Sequence, residues 1–165
     1  MEWYRTALNI NFRAHLGASL VSGNSGNGRI VVGIDGSPLS AAALAWAVEE
    51  ARLRGLGLQI LHAFPALVSI IGTRAHEYYP EVEKEAEKSF EEALANAPST
   101  DGIDVVRTLK AGNASEALVE ASRGASLLVV GSHGRSSFRG MLMGSVSLHC
   151  VTQAHCPVVV VRQSS

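Results

Sequence analysis

Short apolar runs and helical stripes alternate along this chain from residue 29 onward. Ile30-Val31-Val32-Gly33-Ile34 is β-branched and free of polar residues, the pattern of a strand covered on both faces. It stops at Asp35-Gly36-Ser37-Pro38, where Ser37 can cap a helix and Pro38 suits its first turn. A helix is predicted over 40–54, with Ala43, Ala47, Val48 and Ala51 near one stripe, closed by Gly55 and Gly57. A second strand runs over 58–64 and is stopped by Pro65. Residues 65–80 show no clear period. Pro80 then opens an acidic helix over 81–96, which Pro98 ends. Residues 103–109 alternate as a strand with one more polar face. Asn113 caps a short helix over 114–122, and a fourth strand over 127–131, a helix over 144–154 and a last strand over 157–161 complete the pattern.

Strand and helix thus alternate throughout. That order predicts an α/β fold, an open five-stranded parallel sheet with helices on both faces, and right-handed crossovers leave few topologies for it; the expected one is Rossmann-like, with the strand order 3-2-1-4-5. In such sheets ligands bind beyond the carboxyl ends of the strands, where the strand order reverses. Here those ends are Asp35-Gly36-Ser37 after the first strand and Gly131-Ser132-His133-Gly134 after the fourth.

Composition narrows the function classes. With 47% hydrophobic residues, 165 residues make one domain with a sizeable core. The net charge of −1 excludes a nucleic-acid binder that works by bulk charge, because phosphate neutralisation needs a basic face. No apolar run approaches the roughly 18 residues of a membrane span. Two cysteines, Cys150 and Cys156, do not make a disulfide framework and fit a reducing, cytoplasmic setting.

Residues 1–28 stand apart. Arg5, Asn9, Asn11, Arg13 and His15 break up any signal-peptide core, and 22–28 reads as a flexible linker rich in Ser, Asn and Gly. The plain reading is a leader outside the fold, from an over-extended gene start. The alternative is a targeting or partner-binding arm. The domain itself is placed at 29–165.

The stretch from Gly131 to Ser147 carries the candidate chemistry. Gly144-Ser145 opens the last helix, whose N-terminus offers free N–H groups to phosphate. Ser145 and Ser147 add hydroxyls. Arg135 and Arg139 either reach phosphates or face water, and His133 is open to the same two readings. No Lys-Ser/Thr follows the glycines, so this is not a Walker loop, and the dinucleotide fingerprint belongs after the first strand, where it is absent. His149-Cys150 and His155-Cys156 lack a known zinc spacing, and a helix puts 149 and 150 on different faces. A buried helix cysteine and a strand-edge cysteine are the better reading. The acidic helix presents a solvated face on which Lys88–Glu92 is mildly favourable. Val158 to Val161, if an edge, invites pairing with another chain.

Gly131-x2-Gly134-x9-Gly144-Ser145 resembles the nucleotide-binding signature of the universal stress protein family. The opening segment 30–37 and the closing segment His155-Cys156-Pro157-Val158-Val159-Val160-Val161 resemble the same family, so the likeness covers about 29–162. It implies an ATP-binding stress-response regulator that holds ATP or AMP, with Mg2+ or Mn2+ on the phosphates. Asp35 would lie near the ribose, phosphates and metal, with Gly33 and Ser37 beside it. Ala63, flanked by His62 and Phe64, would contact adenine through its backbone. Gly131, Ser132, His133, Gly134, Arg135 and Ser136 would follow the ribose and phosphates, and Gly144, Ser145, Val146 and Ser147 would cradle the phosphates. The family also implies a homodimer through Val158–Val161. Three alternatives stay open. One is a slow ATP hydrolase acting as a timer, with Asp35 its one strong acid. The second is a flavodoxin-like carrier, for which the loop offers only Phe138. The third is a dimerisation module with an empty site.

Overall fold

The β-branched run that opens the domain forms the middle of the sheet. In the computed structural model, residues 28–65, 75–135 and 143–162 are described, with backbone alone for 75–80. The predicted leader before Gly28, the aperiodic residues 66–74, and Ser136, Phe138 and Arg139 lie outside the described residues. Strand β1 (Arg29–Ile34) is followed by α1 (Pro38–Arg54), β2 (Gly57–Phe64), α2 (Ala75–Leu94), β3 (Val105–Ala111), α3 (Ala114–Ala121), β4 (Leu127–Gly131), α4 (Ser145–Gln153) and β5 (Val158–Val161). The five strands are parallel, as the alternation predicted, and lie in the expected Rossmann-like order β3-β2-β1-β4-β5.

Side-chain alternation along each strand sends residues to two layers. Ile30, Val32 and Ile34 meet Ala43, Leu44, Ala47, Val48 and Ala51 of α1, together with Ile60, Phe90 of α2 and Val129. Val31, Leu61, Leu128 and Val130 meet Leu118 of α3 and Cys150 of α4 on the other face. The predicted alanine stripe of α1 is therefore its buried face, and small side chains let the helix sit close to the sheet.

The local signals work as their chemistry requires. The Ser37 hydroxyl accepts the Ser40 amide at 3.2 Å, and Pro38 occupies the first turn of α1. Gly55 ends α1 in the left-handed conformation, at φ 64°. Gly57 belongs instead to the first position of β2. Asn113 Oδ1 accepts the Ser115 amide at 2.8 Å at the start of α3.

Two elements, α2 and β3, depart most from expectation. The acidic helix begins at Ala75, not Glu81, so Pro80 lies within it, and it ends at Leu94 rather than Asn96. The third strand runs over Val105–Ala111, not 103–109. Ile103 packs on the core before the ladder begins, and pairing with Ala63 and Phe64 carries the strand on to Lys110 and Ala111.

Candidate functional site

The sheet opens where it must for a ligand to enter. Pairing between β1 and β4 runs from Ile30↔Leu127 to Val32↔Val129 and goes no further, whereas β1 stays paired with β2 to Ile34↔His62. Helix α1 leaves β1 to one face, and α4 leaves β4 to the other. The crevice between them is the switch point of the strand order.

Asp35 clasps the two sides of this crevice. Its Oδ1 accepts the Ser37 amide at 3.0 Å, and its Oδ2 accepts the Arg135 amide at 2.9 Å, a residue 100 positions away. The Asp35 amide in turn donates to Ser40 Oγ at 3.2 Å. Burial raises the carboxyl pKa, but hydrogen bonds with Ser37, with the Arg135 amide and with Ser40 outweigh it, so the group is held below its ordinary 3.8. Gly134 is required by this contact, since a Cβ there would come within 2.4 Å of Asp35 Oδ2. Gly36, at φ 77°, makes the turn, and the Arg135 guanidinium lies against its bare Cα face.

The β4 loop is fixed to the mouth of α4. Ser132, 3% exposed, donates its amide to Val161 O at 2.8 Å and shares a hydrogen bond with His133 Nδ1 at 3.1 Å. The Gly144 amide donates to Ser132 O at 2.7 Å, which sets the start of α4 beside the loop. Ser147 Oγ donates to Gly131 O at 2.6 Å from the buried side of α4. The N-cap of α4 is Gly144, which has no side chain to cap the amides of the first turn, and Ser145 is exposed. A helix end of this kind keeps its partial positive charge facing outward.

The remaining sequence-predicted residues take up varied positions. Gly33 faces α3, where a Cβ would meet both Leu118 methyls at 2.9 Å. Gly131 lies against Leu39 of α1. Ser37 is occupied in capping, and Ala63 pairs with Lys110 of β3 near the end of β2. Val146 packs against the α3/α4 layer. Ser136 is outside the described residues. A cleft of about 190 Å³ shares Gly36 and Ser37 with this site but opens between α1 and Glu92 of α2, away from α4. Among the described residues no three His, Cys, Asp or Glu come together as metal ligands, and no helix is long and apolar enough to cross a membrane. His149 is exposed while Cys150 is fully buried, on different faces as expected. Burial pushes the Cys150 thiol up to about 11.

Sequence reasoning missed Ser40 and the bond of His62. Ser40, three residues after the cap, had a usable signal, because a hydroxyl there can turn back on the first turn. The His62 ring, whose Nδ1 donates to Ile34 O at 2.9 Å, had none.

Fold and site together define a doubly wound α/β domain with its glycine loop, uncapped helix end and clasped carboxylate at the switch point. The universal stress protein family model matches residues 26–162, and the chain belongs to that family. It is 40% identical over 136 residues to a universal stress protein of Mycobacterium tuberculosis, covering 82% of this chain and 45% of the relative. It thus spans less than half the length of that relative. Among solved structures it is similar to a universal stress protein of Lactobacillus plantarum, with a TM-score of 0.66 and 21% identity over 84% of this chain and all of the other. It is also similar to a universal stress protein solved in complex with cAMP, with a TM-score of 0.55 and 27% identity over 83% of this chain and 98% of the other.

Proposed function

We propose that this protein is a stress-response regulator that holds an adenine nucleotide at the carboxyl ends of β1 and β4. The observation that carries the reading is the α4 N-terminus: its N-cap, Gly144, offers the first-turn amides no side chain, and among the described residues they stand beside the glycine loop, which suits an anion. The cAMP complex of a similar protein supports an adenine ligand. In this reading Gly131 to Ser136 follow the ribose and phosphates. Gly144 to Ser147 hold the phosphates, and the backbone of Ala63 faces the base. ATP or AMP fits the same donors. Among the described residues one carboxylate, Asp35, stands at the site, which suits Mg2+ or Mn2+ held mainly by phosphate oxygens rather than by a protein cage. Both oxygens of Asp35 already accept backbone amides, which favours binding over turnover. The protein acts as a homodimer in the cytoplasm.

Ser145→Asp tests this directly. A carboxylate in the first turn suits the helix dipole, so α4 keeps its stability, but it repels a bound phosphate. Affinity for ATP or AMP, measured by calorimetry, should fall about tenfold or more. Mass spectrometry of ligand released from the native protein identifies the nucleotide. Unchanged affinity in the variant would remove α4 from the site.

A further inference from the structure

Strand β1 loses its β4 partner after Val32, so its last two residues are held in the sheet from the β2 side alone. Asp35 follows immediately, and its direction depends on how firmly that strand end is fixed. His62 sits at the register position opposite Ile34, 6% exposed, with its ring on the α1/α2 side of the sheet. A carbonyl can only accept, so the 2.9 Å contact to Ile34 O requires the proton on Nδ1. The ring is itself held in place. It stacks on Phe90 of α2, with centroids 5.6 Å apart and planes 18° apart, and Phe90 is fully buried. Arg107 of β3 lies 6.0 Å from the centre of the Phe90 ring and is tied to Glu91 at 2.7 Å. The imidazole is thus held by the Phe90 ring of α2, itself braced by Arg107 of β3, and by its bond to the last carbonyl of β1.

We infer that His62 is a positioning residue: by holding the Ile34 carbonyl it fixes the end of β1 and the direction in which Asp35 meets the Arg135 amide. The affinity part of its test rests on the nucleotide reading above; the rest does not. Asn is the conservative replacement, since its side-chain N–H reaches the place of Nδ1, and Leu fills the site without a donor.

The test uses the full chain with His62→Asn and His62→Leu. A nitrogen–proton correlation spectrum of the wild type should show His62 protonated at Nδ1. The Nε2–H tautomer would overturn the inference without any variant. Amide hydrogen exchange over Asp35 to Ser40, measured without ligand, should quicken about tenfold in His62→Leu and return to within about threefold of wild type in His62→Asn. Nucleotide affinity should follow the same order. Exchange unchanged in His62→Leu, or equally fast in both variants, overturns the positioning role. If His62→Leu does not fold, the tautomer and the His62→Asn exchange still decide it. Exchange that behaves as expected in a protein that binds no adenine nucleotide supports the role of His62 and overturns the nucleotide reading instead.

Discussion

At the scale of single residues, the carboxylate of Asp35 joins segments that the sequence holds 100 residues apart. Its charge is what makes the clasp strong, because a charged acceptor strengthens both amide bonds. The folded pKa lies below the unfolded 3.8, so the clasp stabilises the protein fully above about pH 4 and weakens as pH falls through the folded value. Asp35→Asn should therefore cost about 1–3 kcal/mol at neutral pH, since an amide presents N–H where a backbone N–H needs an acceptor. Urea unfolding from pH 7 down to pH 3 checks both the size and the sign. The gap between variant and wild type should narrow below pH 4. A gap that holds constant to pH 3 would mean that shape rather than charge makes the contact.

At the scale of elements, glycines in this domain serve packing as much as any ligand. Gly33 is the clearest example, because the Leu118 methyls fill the space its side chain would need. Gly33→Ala should destabilise by about 1–3 kcal/mol through overpacking. Leu118→Ala should destabilise on its own by leaving a cavity. The double variant should cost less than the sum, and urea midpoints of all four proteins measure that coupling. Additive costs would show that α3 does not press on β1 there. This contact also marks the limit of what the sequence reveals. Local chemistry was legible: Ser37 and Asn113 cap, Gly55 terminates, the alanines of α1 face the core, and alternation gives a parallel sheet. What depends on a neighbour far along the chain was not. Nothing in Gly33-Ile34-Asp35 announces Leu118, His62 or the Arg135 amide. The same cause shifted β3, whose end is set by pairing with Phe64 rather than by its own alternation. Pro80 misplaced the start of α2 because proline is a good opening signal locally, and the helix accommodates it further in.

At the scale of the whole molecule, the sheet has two edges, β3 and β5. The first carries Arg107 and Lys110, the kind of charge that keeps an edge from pairing. The second is four valines, each half-buried, beside an α4 face that leaves Leu148 and Val151 about half exposed. Within the chain, the carbonyls of Pro157 and Val161 accept from Leu128 of β4 and from Ser132 just after it. Alternation then turns the odd-numbered backbone groups of β5 inward and those of Val158 and Val160 toward the open edge. A homodimer formed by pairing two β5 edges would use those outward groups. Val160→Pro removes an outward donor while leaving the β4 ladder intact, because a proline on an edge costs only the bond that the edge would have made outside. Light scattering after size exclusion should then show a dimer for the wild type and a monomer for Val160→Pro, with unchanged far-ultraviolet circular dichroism. A variant that stays dimeric places the interface elsewhere. A wild type that runs as a monomer removes edge pairing from this protein altogether, whatever its nucleotide does.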